Sequence, residues 1–546
     1  MKNPWQNARA CYKELVDKLP GSTTISVNHG TEEEIVKYYK NARIFNRRLQ
    51  RNPFIIVYCE SSSDVQTTYK TAVAHNLPIR VRGGGHDHEG ESSGTNTVLI
   101  DLSKMNTVEV DPTMGIAKIG PGNRFIKLTT DLAKKDVMIA HGTCATVCIA
   151  GFTLGGGWGP WTRKMGMNCE HLVGATLMLG NGELVDVDVK DGKVPDLLWA
   201  LRGGGGMSYG IVTEFRIQTF PLPEQLIKFE IEWNTYFPPK RVGLIQDSIV
   251  PTIKILKAWE GVIKSADTSQ LIGTNLKVNG KSDKDGFDIN TVYHNSVMYG
   301  YWEGTKKSLE EFVTKHFGDL YHTLTIDGEG GIHPEHPHLK NEYGRRSLMS
   351  AWDRESLHKV QKQMIDRGLL QGEPIPPDLD QPAPHKITSR LVNQEGLSEK
   401  GYEQLLRSLT SHLISEENRP LGLFTYITLG AIVGDYYRTH PDGDSAFPYK
   451  DKLYTIQYQT WWNTTEEDKK DGQDSNVYDH TNRALDWMEV CRDFDIPNTS
   501  GAFISFKDAS IPTEVYFDKS YERLKKIKME LCKDPHNHFR TRKTII

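Results

Sequence analysis

Apolar and polar positions in the first 220 residues form short blocks divided by turns rather than long helical stripes. Pro53-Phe-Ile-Ile-Val-Tyr-Cys59 is a compact apolar run rich in β-branched residues, and it predicts a buried strand. Ser62 or Ser63 is placed to cap the helix that follows, through Tyr69 and Ala74. Leu77-Pro-Ile-Arg-Val-Arg82 predicts a second strand, which delivers the chain into a glycine turn. Further short strands are expected at Val98–Leu102, Thr107–Val110 and Ile116–Ile119, with a turn at Gly120-Pro-Gly122 and a helix over 124–135. Leu172–Asp188 alternates about Asn181-Gly182, a hairpin pattern. Leu198-Trp-Ala-Leu-Arg-Gly-Gly-Gly-Gly206 then leads into a strand over Tyr209–Phe215.

The pattern changes after Phe220-Pro-Leu-Pro223. Residues 224–500 mix aromatic-rich strands (Ile227–Trp233, Phe424–Ile432, Leu453–Trp461) with amphipathic helices over 305–316 and 402–414. This suits an antiparallel sheet covered by helices, a second domain of α+β type. A basic amphipathic helix over 521–528 closes the chain, and there is no internal repeat or low-complexity tract. A length of 546 residues calls for two or three domains. We expect domains at 1–222 and 223–500, with 501–546 as a C-terminal segment.

Composition narrows the function. Apolar residues make up 38% and charged residues 25%, with a formal net charge of −4. Nothing there points to a nucleic-acid partner or a polybasic membrane anchor. The first residues hold no apolar run suited to a signal sequence, and no stretch approaches a membrane span, so a cytoplasmic, intracellular protein is expected. Seven cysteines scattered over so long a chain do not resemble a disulfide framework. His333-Pro-Glu-His336-Pro-His338 looks metal-like, but it has no second cluster and reads as an exposed loop, so no metal is expected. Thr464–Gly472 reads as the solvated start of a helix.

Three glycine clusters follow apolar strands: Arg82-Gly83-Gly84-Gly85-His86-Asp87-His88-Glu89-Gly90, Gly155-Gly156-Gly157-Trp158-Gly159, and Arg202–Gly206. One such loop is often only a tight turn, whereas three on one domain suggest a long anionic ligand cradled by backbone N–H groups. None fits the Gly-x-Gly-x-x-Gly pattern of a dinucleotide-binding Rossmann unit, and the Walker pattern is absent. His86 ends the first glycine run. Cys144, 58 positions later, sits in Gly142-Thr-Cys-Ala-Thr-Val147. An imidazole and a thiol are the side chains best suited to attack an electron-poor ring, although a loop histidine bonded to backbone and a small buried cysteine are the plainer readings. Cys148 and Cys169 read as cysteines of the plainer kind.

Taken together, these segments resemble the berberine-bridge-enzyme branch of the vanillyl-alcohol-oxidase superfamily. That branch carries Arg-Ser-Gly-Gly-His-Asp-Tyr-Glu-Gly, Gly-x-Cys-Pro-x-Val-Gly with a later triple glycine, Leu-Arg-Gly-Gly-Gly-Gly before a strand, and a terminal Asp-Pro-x-Asn-x-Phe. This chain matches all four in order between Pro53 and Phe539, and Ala446-Phe-Pro448 is a further match. The resemblance implies a two-domain vanillyl-alcohol-oxidase-like fold of α+β class, in which the C-terminal segment returns to complete the N-terminal FAD-binding domain. It implies covalent FAD, with His86 on the 8α carbon and Cys144 on C6. Arg82, Gly83, Gly84, Gly85, Val147, Gly155, Gly156, Gly157, Gly159, Glu170, Gly210, Ile211, Val212 and Asn537 are the other cofactor positions that it suggests. Val147 falls where the family gates oxygen, and valine resembles the oxidases.

The catalytic side departs from the family. Its alcohol oxidases use a tyrosine base in Tyr-x-Asn-Tyr-x-Asp, where this chain reads Phe503-Ile-Ser505-Phe506-Lys-Asp508. The tyrosine two residues after the flavin-bonded histidine is His88 here, and Trp158 follows the triple glycine. We expect His88 to be the base, alone or with Tyr426 or Tyr458, and Gln459 to bind substrate. The expected activity is oxidation of an alcohol or hemiacetal on a sugar, oligosaccharide or glycosylated metabolite, with O2 as acceptor and hydrogen peroxide as product. An oxidative cyclase of an aromatic or terpenoid metabolite, or a flavin carrier without turnover, are the alternatives.

Overall fold

The protein is described by a computed structural model covering residues 4–144, 146–223, 226–234, 249–327, 382–414, 423–441, 444–462 and 474–546. The first apolar runs become β1 (Thr24–Val27), β2 (Ile55–Tyr58), β3 (Ile79–Arg82) and β4 (Val98–Asp101), ordered β1-β2-β4-β3. β2 and β3 both lie parallel to β4, which needs a crossover, and the helix Ser62–Ala74 supplies it. That helix is capped by Ser61, one residue before the expected pair, whose side chain accepts the Asp64 N–H at 3.1 Å.

Next in the chain are β5 (Val108–Asp111), β6 (Ile116–Ile119), β7 (Val137–Met138), β8 (Leu172–Met178), β9 (Leu184–Asp188), β10 (Ile211–Gln218) and β11 (Phe220–Pro221). β5-β6-β10-β8-β9 form an antiparallel sheet, and β7 pairs with β11. The hairpin predicted at Asn181-Gly182 joins β8 to β9. The C-terminal segment returns onto this sheet: Ala502, Tyr516, Phe517, Leu524 and Ile527 share a core with Leu177, Leu198 and Phe215. Phe539 stacks on Tyr69 of the helix Ser62–Ala74, ring centroids 5.4 Å apart. The helix expected over 521–528 runs from Tyr521 to Leu531.

The remaining strands are β12 (Ile227–Trp233), β13 (Leu271–Asn279), β14 (Ser296–Trp302), β15 (Thr323–Asp327), β16 (His385–Val392), β17 (Leu423–Ala431), β18 (Tyr454–Trp462) and β19 (Thr499–Ser500). They build an antiparallel sheet ordered β15-β12-β14-β13-β17-β18-β16-β19. Alternation divides its two faces. Phe229, Ile231, Leu276, Val278, Met298, Ile427, Leu429, Ile456 and Tyr458 lie in one core with the helices Thr252–Lys264, Lys306–Phe317, Glu399–Leu409 and Asp474–Asp493. The helix expected over 402–414 begins earlier, after the cap Ser398, and ends at Leu409. Among the described residues no helix is long and apolar enough to cross a membrane, and no group of His, Cys, Asp or Glu could hold a metal ion. His333–His338 and Thr464–Gly472 lie outside the described residues.

A buried ion cluster binds four parts of the chain together. The Lys386 ammonium on β16 contacts Glu89 from the first glycine loop and, at 2.8 Å, Asp508 from the C-terminal segment. Arg492 meets the other Asp508 oxygen at 2.9 Å. Burial alone would raise the Asp508 carboxyl, but Lys386, aided by the Ser510 N–H and the Thr388 side chain, outweighs it and holds the group below the usual carboxylate range. Lys386→Met should therefore cost about 3 kcal/mol, the low end for a broken buried pair because Arg492 still faces Asp508. Urea unfolding at neutral pH should show this loss. The Asp508 contribution exists where the unfolded carboxyl is ionised and fades as pH falls through the lower folded value. The difference between wild type and variant should thus shrink below about pH 4.

Candidate active site

A cavity of about 680 Å3 is lined by the glycine turn after β3, the 142–158 stretch, residues 206–212, Phe503–Lys507 and one face of the large sheet. Gly83, Gly84, Gly85, His86, His88, Cys144, Val147, Gly155, Trp158, Gly210, Ile211, Val212, Tyr426 and Gln459 all stand on its wall. The face opposite the helix-covered core supplies Lys228 and Glu230 of β12, Lys277 of β13, Tyr299 and Tyr301 of β14, and Thr428 of β17. The polar residue of each apolar-polar pair along these strands points at the cavity, as a sheet packed on one side requires.

Loop packing brings His86 and the Cys144 segment together. The His86 ring stacks on Phe45, centroids 3.9 Å apart and 21° from parallel. Its Nε2 lies 2.8 Å from Oγ1 of Thr146, two residues beyond Cys144. The surrounding protein desolvates the imidazole, and Arg124 and His88 add repulsion, so its pKa falls well below the ordinary value and the ring is neutral. Cys144 is the one cysteine of the seven that is not buried. Burial pushes the Cys148 thiol up to about 12, leaving it un-ionised at neutral pH.

His88 is paired with a residue that the sequence did not single out. Its Nδ1 lies 2.9 Å from Nε2 of His385, at the start of β16. Desolvation pushes His88 down to about 4 against the pull of the Asp87 carboxylate, with Lys507 and Lys386 adding repulsion. Asp87 and Glu91 are engaged by the Lys507 ammonium at 2.7 and 3.1 Å. Phe503 and Phe506 meet edge to face at 5.1 Å and carry no proton acceptor. Besides aromatic spacing, His385 left no signal beyond a histidine opening an apolar strand.

Several expected site residues take other positions. Tyr458 is fully buried in the helix-covered core, its hydroxyl 3.0 Å from Ser408 Oγ, and does not reach the cavity. It shares a face with Ile456, whereas its neighbour Gln459 opposes Tyr426, so one step along the strand reverses the side. Arg82 is structural: it meets Asp101 at 2.5 Å and donates to the carbonyls of Asn41 and Arg43. Glu170 accepts from Tyr437 and Ser445 away from the wall. Gly156, Gly157 and Gly159 also lie off it. Gly159 is needed for packing, since a Cβ there would sit 1.9 Å from the His141 carbonyl oxygen. Asn537 belongs to a turn at φ 51° off the wall, and Thr541, four residues on, reaches the cavity instead.

Four of the wall residues commit a proton to a hydrogen bond. The Trp158 indole N–H donates to Ala431 O at 2.8 Å, leaving only ring surface toward the cavity. The Tyr426 hydroxyl and the Trp461 N–H both donate to Gln459 Oε1 at 3.1 Å, and Gln459 Nε2 donates to Thr428 at 3.1 Å. Gln459 therefore retains a second N–H.

Residues 53–188 match a family model described as an FAD binding domain, and residues 502–546 match one described as berberine and berberine like. Berberine bridge enzyme-like 2 of Arabidopsis thaliana is 24% identical over 99% of this chain and 93% of its own length. The solved structure of Physcomitrella patens BBE-like 1 superposes with a TM-score of 0.71 at 20% identity, covering 99% of both chains. Acremonium strictum glucooligosaccharide oxidase, whose structure reveals a novel flavinylation, superposes with a TM-score of 0.69 at 17% identity, over 99% of this chain and 98% of that one. Domain and fold together define an FAD-linked oxidoreductase. Within that class the chain is similar, over nearly its whole length, to berberine bridge enzyme-like proteins. The α+β fold and the return of the C-terminal segment to the FAD domain agree with the sequence reading.

Because Tyr458 faces the core, Tyr458→Phe should leave turnover within about twofold of wild type. It should cost about 1 kcal/mol of stability through the lost Ser408 hydrogen bond. Steady-state rates and urea unfolding check the two parts together.

Proposed function

We propose that the chain oxidises a hydroxyl-bearing carbon of a sugar, oligosaccharide or glycosylated metabolite and passes the electrons to O2, giving hydrogen peroxide, with FAD held by two covalent bonds. The observation that carries this reading is a neutral imidazole, His86, and the one unburied thiol, Cys144, on the wall of a single glycine-lined cavity. A flavin fits that donor set: glycine backbone at Gly83–Gly85 and Gly210 for the polar part, and one nitrogen and one sulfur nucleophile for the ring. When the His86 Nε2–H donates to Thr146, Nδ1 holds the lone pair that would bond the 8α carbon, and Cys144 Sγ would bond C6.

Bound FAD supplies the hydride acceptor. The chain's own residues bind and orient the substrate and take its proton. The second N–H of Gln459 donates to a substrate hydroxyl group, an interaction suited to a polyhydroxylated ligand. Trp158, Trp461 and Tyr301 offer ring faces of the kind that sugar rings cover. As the substrate O–H bond breaks, His88 takes the proton, and the hydrogen on carbon leaves as hydride. Val147 stands on the same wall, a small side chain that leaves room for O2. Relatives that oxidise glucooligosaccharides support the substrate class at the level of fold.

A panel of mono- and oligosaccharides against phenolic and terpenoid alcohols, each mixed anaerobically with the purified protein, tests the reading. Flavin bleaching by saccharides, followed by one peroxide per turnover in air, is the expected result. Bleaching by the aromatic alcohols alone would instead assign a tailoring oxidase, and no bleaching would leave a flavin carrier. Because His88 titrates near 4, kcat/KM should stay level through pH 6.5 and fall only as pH drops toward about 4, where the imidazolium can accept no proton.

A further inference from the structure

We infer that His385 is a positioning residue that locks His88 in the Nδ1–H tautomer and leaves Nε2 of His88 as the nitrogen that receives the substrate proton. This rests on the reading of His88 as base. The carbonyl oxygen of Ala383 lies 2.9 Å from His385 Nδ1. A carbonyl oxygen only accepts, so His385 Nδ1 carries the hydrogen and its Nε2, in the neutral ring, carries the lone pair. That lone pair lies 2.9 Å from His88 Nδ1, which must therefore donate. The remaining nitrogen of His88, Nε2, makes no hydrogen bond among the described residues and belongs to a ring on the cavity wall.

Neutrality of His385 is essential, because an imidazolium would donate from both nitrogens and reverse the tautomer of its partner. His385 is wholly buried, faced by His88, Arg48 and His86 and packed against the rings of Trp461 at 4.1 Å and Phe45 at 5.8 Å. Burial and those neighbours all lower its pKa, with the Ala383 bond the one opposing contribution. The groups facing His88 are Asp87, Lys507, Lys386, His86 and His385. Asn46 fixes the spacing of the pair: its Nδ2 donates to the backbone oxygens of His88 at 2.6 Å and His385 at 3.1 Å, and its Oδ1 accepts the His385 N–H at 3.2 Å. In the reaction the substrate O–H breaks, the His88 Nε2–H forms, and Nδ1 keeps its hydrogen toward His385. The imidazolium so formed sits beside the Asp87 carboxylate.

The test compares His385→Leu, which removes the acceptor, with His385→Gln, whose side-chain oxygen can still accept from His88 Nδ1. In the flavin-loaded protein, His385→Leu should slow anaerobic flavin reduction by about 10- to 100-fold, less than the roughly 10²- to 10⁴-fold expected of His88→Gln. Substrate affinity and flavin content should be unchanged, and His385→Gln should recover most of the rate. Independently of turnover, 15N-histidine spectra at pH 7 should show the His88 resonance, assigned by its loss in His88→Gln, with Nδ1 protonated in wild type and in His385→Gln but not in His385→Leu. Normal reduction in His385→Leu with a dead His88→Gln would overturn the role of His385 alone. Normal reduction in His88→Gln would overturn the base reading as well. Equal loss in both His385 variants with an unchanged His88 tautomer would show only a packing role.

Discussion

The large antiparallel sheet must bury one face under helices, and this constraint sets the chemistry of the other. Side chains alternate along β12, β14, β17 and β18, and along β13 beyond the irregularity between Leu271 and Gly273, so apolar residues given to the core place neighbours such as Lys228, Lys277, Thr428 and Gln459 on the cavity wall. Lys228 follows Ile227 and precedes Phe229, and Gln459 follows the core residue Tyr458. The wall therefore gains amides, hydroxyls and ammonium groups without weakening the core. Any slip of register would exchange the two sets and lose both at once.

Charge holds that wall against the glycine loops. Lys386 next to His385, Glu89 next to His88, and Asp508 just past Phe506 meet in a cluster almost free of solvent. Each charged residue thus anchors the segment that carries an active-site side chain. Lys507 repeats the arrangement with Asp87 and Glu91, and Thr541 donates to Glu91 from the C-terminal tail. These are distant parts of the sequence, so the cavity exists only when the C-terminal segment has returned. A buried ion cluster of this kind is costly to break, which suits a junction that must close in one geometry.

How much of this could be read from the residues alone follows from the range of the forces involved. The glycine turn, the β8–β9 hairpin and the apolar runs are local, and their elements formed close to the expected bounds. His86 and Cys144 stand out because their residue types are chemically unusual in glycine-rich loops. Tyr458 was misplaced even though Ile456 two residues earlier marks its face, since the aromatic density of the strand obscured its alternation. Arg82 and Glu170 were assigned to the cofactor by motif, but their partners, Asp101 and Ser445 among them, are fixed by tertiary packing. His385 was invisible for the same reason, lying 297 positions from the ring it contacts.

The proposed bonds from His86 and Cys144 to FAD are tested most directly by the intact mass of the denatured protein. Wild type should carry the added mass of one FAD, His86→Ala and Cys144→Ala should each retain it, and the double variant should lose it. An apoprotein mass in wild type, with the flavin recovered in the supernatant, would contradict covalent attachment through these residues.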